Sequence, residues 1–535
     1  LLKARAFEIA SLEKALANST EFAGTRRVFQ TVPRYMRRRA ASHNVKRLPR
    51  RLREKALAQL AKDADPRRPS KRTRRRKKHI KGISRREIFA RRPSSKKWLE
   101  THIWHAKRMK MVEMWGVRIA EHPNDKSTKA LYRASKHQCV MHDASYIRAI
   151  ELSGLQSSLD AIFTSVVDPT LPAVGSARFV TGVRQGSTFI HCYMQYPAGA
   201  IAPASFLWKP STAGDADIRT IWVWIHPAAI VDVAMASLLG LPVTVIFKVM
   251  RSISSPFRSI VIVNSLNGDL VRFELTGPRC HAVLHKILQP TQPGAQIGDA
   301  LVWNDLKDLR TPASLPPGTA ISLTVDDPRI SFPLKMPPRI TSVSPESDAA
   351  IRARLSKWPE GLGAGAIWDA EVRERGGKEK IKESELNRRR EQALVPGTPL
   401  SALPTDARVP ILLLQRDYRA RDAGVRTSGE TESAEFVGGW DLVVPKGWGM
   451  AFWRNLIFAG ARVGGLRERH SLHFESGIPF FPNDFPETPA HNEWATARQQ
   501  HLQAAYDRTP KAKRPSFAKL GTTHPFEVPL AVLAG

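Results

Sequence analysis

Residues 260–288 read IVIVNSLNGDLVRFELTGPRCHAVLHKIL and combine signals for strands and for a helix. The segments on either side of the Asn-Gly pair at 267–268 are rich in β-branched residues, which favour strands. Asn-Gly is a preferred sequence for a two-residue hairpin turn, so the pair predicts that these two strands are neighbours. Thr-Gly-Pro at 276–278 then predicts a helix through Leu288, because proline is favoured in the first helical turn. This combination is typical of a mixed α+β fold.

The neighbouring sequence continues the alternation. β-branched and aromatic residues predict further strands on both sides, at 189–193, 221–225, 243–247 and 321–325. Residues 227–239 are a further helical candidate. We therefore expect one mixed α/β domain over residues 141–340.

The sequence after this domain divides into two parts. Residues 341–398 are charged and irregular, with a possible helix at 380–394, and predict a linker or insertion. Residues 399–535 are expected to form a C-terminal unit, with a strand at 409–415 and a Gly- and aromatic-rich stretch at 438–465. Because the chain opens with leucine rather than methionine, we expect it to be part of a longer protein.

Residues 98–140 precede the domain and are rich in tryptophan at their start. A helix is predicted over 95–120, capped by a serine at 94 or 95 and ending near Gly116. The residues at helical spacing on one face of this helix are Trp104, Arg108, Met111, Trp115 and Ile119. Packing in the core is the favoured role of the aromatic residues, and the cations of 107–110 line the exposed side.

Charge is concentrated near the start of the chain. The 535 residues carry 83 Lys and Arg against 49 Asp and Glu, a formal net charge of +34. Residues 26–97 hold 29 of these cations and four acidic residues, and the densest stretch is KRTRRRKK at 71–78. Such like charges repel one another, and the apolar residues between them are too few for a core. Residues 1–97 are therefore predicted to be an extended basic arm with short helices.

Two short helices are predicted within this arm. The first lies within residues 1–25, and its apolar positions include Phe7, Ile9, Leu12 and Leu16. The second begins near Pro49, which suits a first helical turn, and its apolar positions are Leu52, Leu57 and Leu60.

The charge indicates a polyanionic partner. Nucleic acid is favoured because the cations alternate with rings that stack on unpaired bases, namely Phe29, Tyr35, His43, His79 and Phe89. A nuclear-localisation signal is the alternative for 71–78, but such a signal needs only ~5–8 residues and leaves the rest of the arm unexplained. A membrane partner is not expected, because no stretch approaches the ~20 apolar residues of a membrane span. Three distant cysteines without a CxxC pair argue against a disulfide framework and a cysteine zinc site.

Motifs for catalysis are largely missing. There is no P-loop, GxSxG elbow, kinase signature or HExxH helix. His102 and His105 offer two zinc ligands, which are too few for a site, so a solvated or packed pair is favoured, with stacking on RNA as the next option. Asp326 and Asp327 offer a possible Mg²⁺ site, although a turn capped by aspartate is commoner. The Gly-rich loop at 361–365 does not follow a strand, which disfavours phosphate binding. We expect no catalytic residue, no metal and no cofactor.

Four longer motifs carry a family resemblance. Residues 29–53 read FQTVPRYMRRRAASHNVKRLPRRLR, and residues 98–115 read WLETHIWHAKRMKMVEMW. Residues 447–469 read GWGMAFWRNLIFAGARVGGLRER, and residues 475–486 read ESGIPFFPNDFP. Together they resemble the largest protein subunit of eukaryotic nuclear ribonuclease P and RNase MRP, a family that carries the POPLD segment. Shorter matches extend the resemblance over nearly the whole chain.

The resemblance implies a role without catalysis by the protein. In these ribonucleoproteins the RNA is the catalyst: ribonuclease P removes the 5′ leader of precursor tRNA, and RNase MRP processes precursor rRNA. A scaffold in the nucleus and nucleolus is implied, which binds the catalytic RNA, the other protein subunits and the precursor tRNA or rRNA. A globular part similar to the folate-binding, aminomethyltransferase-like fold of the glycine-cleavage T-protein is also implied. A protein-only RNA-processing or RNA-modifying enzyme and a general ribosome-biogenesis factor are the alternatives.

The residues expected to contact RNA carry a positive charge or a ring that stacks on bases. In the arm they are Arg34, Tyr35, Arg37, Arg38, Arg39, His43, Lys46, Arg47, Arg50, Arg51, Arg53, Arg74, Arg75 and Arg76. Beyond the arm they are Lys107, Arg108, Arg454, Arg462, Arg467 and Arg469. The last four are expected to face either RNA or a neighbouring protein.

Overall fold

The computed structural model describes residues 5–21, 27–33, 35–37, 44–62, 98–124, 127–211, 218–229, 261–291, 298–332, 345–392, 398, 400–416 and 438–527. The predicted strand at 243–247 and most of the predicted helix at 227–239 lie outside these ranges. The chain divides into two compact units, Leu1–Ala90 and Arg91–Gly535. None of the described helices is long and apolar enough to cross a membrane.

The first unit is helical where it is described. Helix α1 spans Ala6–Glu21 and helix α2 spans Arg53–Lys62. Three short 3₁₀ helices lie between them, at Val28–Thr31, Val45–Arg47 and Arg50–Leu52. Both predicted helices of the arm are therefore confirmed, and Pro49 directly precedes the turn that leads into α2.

A six-stranded sheet lies at the centre of the second unit. Its strands are β3 (Val140–Asp143), β9 (Leu270–Thr276), β10 (Ala320–Asp326), β11 (Arg408–Arg416), β12 (Gly439–Pro445) and β13 (Arg462–Val463). They lie in the order β10-β11-β12-β9-β3-β13, and all neighbours are antiparallel except β3 and β13. The predicted strands at 271–275, 321–325 and 409–415 are confirmed here.

A second sheet has five antiparallel strands. They are β4 (Arg148–Leu155), β5 (Gly186–His191), β6 (Ala200–Trp208), β7 (Ile218–Ile225) and β8 (Ile262–Ser265), in the order β5-β6-β7-β4-β8. The predicted strands at 189–193, 221–225 and 260–263 overlap β5, β7 and β8 of this sheet, and residue 260 lies outside the described ranges. A separate two-stranded hairpin consists of β1 (Met109–Met114) and β2 (Val117–Pro123).

The two large sheets pack face to face because their strands are apolar on both sides. In β7, Trp222 and Trp224 point into the layer between the sheets. Ile221, Val223 and Ile225 point to the opposite side, as the two-residue period of a strand requires. Strands that are buried on both faces have continuous apolar runs in their sequence, and these runs allow the strands to be predicted.

Helices cover the outer face of each sheet. On the six-stranded sheet, the core contains side chains from α7 (Cys280–Ile287), α8 (Gly298–Asp305), α9 (Pro345–Ser356) and α12 (Gly449–Phe458). On the five-stranded sheet it contains side chains from α5 (Gln156–Val166) and α6 (Ala177–Val180). The order helix–sheet–sheet–helix confirms the expected α+β class. The remaining α-helices of the described residues are α3 (His102–Ala106), α4 (Thr128–His137), α10 (Ala370–Lys378), α11 (Glu383–Glu391), α13 (Leu466–Glu475) and α14 (Pro489–Arg508).

The predicted long helix at 95–120 is wrong. Helix α3 ends at Ala106, and the chain continues into the β1–β2 hairpin, where Met114 pairs with Val117. The two residues of the turn, Trp115 and Gly116, have φ values of 50° and 70°, the positive values that a type I′ hairpin turn requires. The helical spacing of the aromatic residues was therefore coincidental, and Gly116 is a turn residue rather than a helix end.

The hairpin predicted at Asn267-Gly268 is also wrong, although a turn forms there. Strand β8 pairs with β4, whereas β9 pairs with β12 and β3 in the other sheet. Leu266 is buried between the two sheets, and its amide donates to the carbonyl of Ala149. Burial of this side chain directs the chain from one sheet to the other at a turn that resembles a hairpin locally.

Residues 345–392 form helices that pack on the core, whereas the sequence predicts a charged, irregular linker or insertion there. The predicted helix at 380–394 is confirmed as α11. Trp368 contacts Trp222 with 4.0 Å between ring centroids, and its indole donates to the carbonyl of Gly363. The Gly-rich loop at 361–365 therefore accommodates a buried tryptophan.

Candidate nucleic-acid interface

A small apolar cluster organises the basic unit Leu1–Ala90. Val28, Val32, Leu48 and Ala56 are buried together. The amide of Val28 donates to Gln59 Oε1 on α2 at 3.0 Å, which joins the first 3₁₀ helix to that helix. The expectation that this segment has too few apolar residues for any core is therefore wrong for its described part.

Two predicted RNA-binding arginines of this unit fix its backbone. Arg37 Nε donates to the carbonyl of Val32 at 2.8 Å. Arg53 donates from Nε to the carbonyl of Leu48 at 3.0 Å and from Nη2 to that of Lys46 at 3.3 Å. These hydrogen bonds hold the turns that carry the neighbouring cations.

The exposed cations of the unit lie on these turns. Lys46, Arg47, Arg50 and Arg51 are all exposed and belong to the two consecutive 3₁₀ helices before α2. Tyr35 is 82% exposed, so its ring is available for stacking. Cations held on a folded turn lose less conformational entropy on binding than cations on a disordered chain. The other predicted contacts of the arm lie outside the described residues, namely Arg34, Arg38, Arg39, His43, Arg74, Arg75 and Arg76.

The predicted contacts near α3 and α12 are exposed. Lys107 and Arg108 follow α3, and the Arg108 guanidinium lies 4.6 Å from the ring centre of Trp104. Arg454 is exposed on α12, and Arg462 is exposed on β13. Arg467 is 61% exposed and forms an ion pair with Glu121 at 3.2 Å. Surface pairs of this kind are weak, so Arg467 can exchange its partner for a phosphate.

Arg469 differs from the other predicted contacts, because it points into the protein. Its guanidinium binds the carboxylate of Glu274 in a bidentate manner, at 2.7 Å and 2.9 Å. Arg416 lies 3.3 Å from the same carboxylate. Only 13% of the Arg469 side chain is exposed, so its predicted role at the surface is wrong and its role is to neutralise a buried acid.

This ion pair belongs to a buried network that none of the sequence motifs predicts. Arg272 and Arg416 also contact Asp441, which is buried on β12. Burial opposes ionisation of Glu274, but Arg469, Arg416 and Arg272 outweigh it and hold the pKa of Glu274 well below its usual range. The available signal was charge inside apolar strands, as in VRFELT and GWDLVVP.

Three histidines around the network are held neutral. Burial, and next the positive charge of Arg469, lowers the pKa of His142, His226 and His473 to about 3. A further histidine, His281 on α7, has its pKa lowered to about 3 by burial. Their side chains are therefore uncharged in the folded protein at neutral pH.

We expect this arrangement to make the fold sensitive to acid. Between pH 6.5 and pH 3 the unfolded histidines bind protons and the folded ones do not, so stability falls as the pH falls through this range. Each histidine contributes about 1.4 kcal/mol per pH unit. The test is the urea midpoint measured from pH 7 to pH 4, with His142→Gln expected to reduce the slope. An unchanged midpoint over this range would contradict the expectation.

The remaining candidate chemical groups have structural partners. His102 stacks on Trp98 at 4.2 Å, and His105 packs beside Trp453, which confirms the packing interpretation. Asp327 accepts from the amide of Arg329 at 2.9 Å and pairs with its guanidinium, as in an aspartate-capped turn. Within the described ranges, no three His, Cys, Asp or Glu side chains are placed to hold a metal ion.

Comparisons with known proteins match both ends of the chain to family domains. The N-terminal domain of ribonucleases P/MRP protein subunit POP1 matches residues 1–92 and 83–155, and the POPLD (NUC188) domain matches residues 439–530. The chain is 31% identical over 613 residues to the human "Ribonucleases P/MRP protein subunit POP1", covering 98% of this chain and 58% of that protein. It is 26% identical over 541 residues to "Ribonucleases P/MRP protein subunit popl-1" of Caenorhabditis elegans, and the match covers 98% of this chain and 64% of that protein. The chain therefore spans about 60% of the length of these two relatives.

Among solved structures, the chain is similar to the glycine cleavage system aminomethyltransferase T from Bartonella henselae. The two chains are 12% identical with a TM-score of 0.38, over 78% of this chain and 76% of the other.

Proposed function

Because the chain belongs to the POPLD-containing family of ribonuclease P/MRP protein subunits, we propose that it is a structural RNA-binding subunit of these ribonucleoproteins. The observation that carries the proposal is the folded basic unit at the start of the chain. There, exposed cations lie on turns that a small core holds in place, together with two arginines that donate to backbone carbonyls.

The charge and geometry of this unit suit RNA. Residues 26–97 carry a net charge of +25, whereas the other 463 residues carry +9. Arg and Lys neutralise phosphates and release their counterions, which supplies sequence-independent affinity. The exposed ring of Tyr35 adds a surface on which an unpaired base stacks. A folded RNA that presents both phosphates and unpaired bases matches these groups.

In this proposal the RNA carries the catalysis and the protein supports it. Two buried carboxylates of the second unit support this division of roles, because each is engaged in an internal ion pair. Glu274 is bound by Arg469 and Arg416, and Asp327 is bound by Arg329. The proposed partners are the catalytic RNA of ribonuclease P, RNase MRP or both, and the other protein subunits. The proposed substrates of the particle are precursor tRNA or precursor rRNA, and the proposed location is the nucleus and nucleolus.

RNA dependence of cleavage tests the division of roles. Purified chain is incubated with precursor tRNA in the presence and absence of the reconstituted RNA and its other subunits. We expect 5′-leader removal only in the complete particle, and we expect the Asp327→Asn variant to leave its rate unchanged if the particle assembles. Cleavage by the purified chain alone that Asp327→Asn or Asp326→Asn abolishes would instead establish a protein enzyme.

RNA selectivity tests the identity of the partner. RNA captured with the full chain from cell extract is sequenced and compared with RNA captured by a variant that lacks residues 26–97. Enrichment of one structured RNA, lost in the variant, supports the proposal. A broad spread over rRNA would favour a general ribosome-biogenesis factor.

A further inference from the structure

The C-terminal end of the second unit carries a basic surface that none of the motifs above includes. Helix α14 is 20 residues long, which corresponds to about 30 Å, and only Ala490 among its residues is buried. The chain then folds back over residues 508–526, which we call the C-terminal basic loop. This loop contains five Lys or Arg residues and no acidic residue.

An aromatic cluster gives the basic loop a defined conformation. Tyr506, Phe517 and Phe526 pack on one another with ring centroids 5.2 Å to 5.6 Å apart. The Tyr506 hydroxyl donates to the carbonyl of Pro515 at 3.3 Å. Arg514 donates from Nε to the carbonyl of Thr509 at 2.7 Å, and its guanidinium lies over the Tyr506 ring. The loop is therefore folded onto the end of α14.

The remaining cations of the loop point outward from this cluster. Lys511, Lys513 and Lys519 are exposed, and among the described residues they have no ion-pair partner within 4.0 Å. Arg508 is also exposed, and its Nε donates to the carbonyl of Ala504. The nearest acidic residues in sequence are Asp507 and Glu527, which flank the loop. Cations near the C-terminus of α14 stabilise the negative end of the helix dipole, which explains those of the last turn. This effect does not explain Lys519.

We propose that the C-terminal basic loop is a second RNA-binding surface, which contacts the phosphate backbone through Lys511, Lys513 and Lys519. RNA is favoured over an acidic protein because lysine is depleted from protein–protein interfaces, whereas phosphate contacts use Lys and Arg. The inference rests on the proposed function, since it names a further contact with the same RNA. Because only Ala490 near the start of α14 is buried, this contact lies at the exposed end of a helix about 30 Å long.

A charge-neutralising triple variant of the full chain tests the inference. Lys511→Gln, Lys513→Gln and Lys519→Gln are combined, and Lys511→Arg, Lys513→Arg and Lys519→Arg form the matched control. The probe is a transcribed ribonuclease P RNA, titrated at several salt concentrations. We expect the slope of log affinity against log salt to become shallower by about 2 to 3 in the glutamine variant and to stay unchanged in the arginine variant. All three positions are exposed, so thermal unfolding should be unaffected.

The outcomes separate the inference from the function on which it rests. Unchanged affinity and slope in the glutamine variant, with tight binding by the parent chain, would overturn the basic loop as an RNA contact. Failure of the parent chain to bind the RNA would overturn the proposed function as well. Weaker binding of poly-glutamate with unchanged RNA binding would assign the loop to an acidic protein. Tyr506→Leu, which retains every charge, should also weaken RNA binding, because it releases the loop from α14.

Discussion

Neutralising four cations of the basic unit should reduce the slope of log affinity for RNA against log salt by about 4. Lys46, Arg47, Arg50 and Arg51 are exposed on two consecutive turns, so each is placed to neutralise a phosphate. Each lost contact reduces the slope of log affinity against log salt by about 1. The variant has all four residues changed to glutamine. When the salt concentration is raised from 50 to 200 mM, the affinity of the parent chain for RNA should fall by about 100- to 250-fold more than that of the variant.

A control with the same change in charge distinguishes this effect from long-range attraction. Arg352, Lys357, Lys378 and Arg388 are exposed cations of the second unit, on or next to helices α9 to α11. Changing these four to glutamine alters the net charge equally but removes no proposed RNA contact. If both quadruple variants lost the same amount of affinity and slope, the turns before α2 would not be a binding surface. The arm would then be only a targeting element.

Glu274→Gln should be among the most destabilising single changes in the second unit. The substitution retains the shape of the side chain but removes the charge that Arg469 and Arg416 share in the core. Asp441 then remains as the acid that contacts Arg272 and Arg416, and the charge of Arg469 is no longer neutralised by Glu274. Loss of one partner from a buried ion pair costs about 3–5 kcal/mol, and we expect this loss in the free energy of unfolding measured by urea denaturation.

An exposed pair provides the matched control. Asp348→Asn removes the partner of Arg352 on α9, where both side chains are largely exposed. Such pairs contribute about 0.3–0.5 kcal/mol, so the urea midpoint should barely move. A combined Glu274→Gln and Arg469→Gln variant should lose less stability than the two single losses added together, since the second change removes the positive charge that Glu274 neutralises. Equal, small losses for Glu274→Gln and Asp348→Asn would contradict the proposed importance of the network.

Several elements of the fold could be predicted because their signals are local. Strands β7, β10 and β11 are apolar on both faces and were predicted from composition alone. The Thr-Gly-Pro sequence at 276–278 correctly predicts that a helix follows, but α7 begins at Cys280 after the N-cap residue Arg279, so Pro278 precedes the first turn. The basic arm was identified by counting charges, which requires no knowledge of contacts.

Other features could not be predicted because they depend on residues far apart in the sequence. The turn at Asn267-Gly268 has the local sequence of a hairpin, but β9 finds its partner in β12, more than 150 residues later. Arg469 resembles every other arginine of its motif until Glu274, 195 residues earlier, is placed beside it. The spacing of aromatic residues at 98–120 fits a helix, whereas pairing across Trp115-Gly116 produces a hairpin.

The sequence by itself therefore determined the class of the fold, the site of the positive charge and the family resemblance. These properties depend on composition and on short motifs, which can be recognised without knowing which residues are in contact. Only the tertiary structure decided which arginines face solvent and which neutralise buried acids. A charged side chain is paired inside a protein or hydrated outside it, and that choice depends on partners that the chain brings together only when it folds.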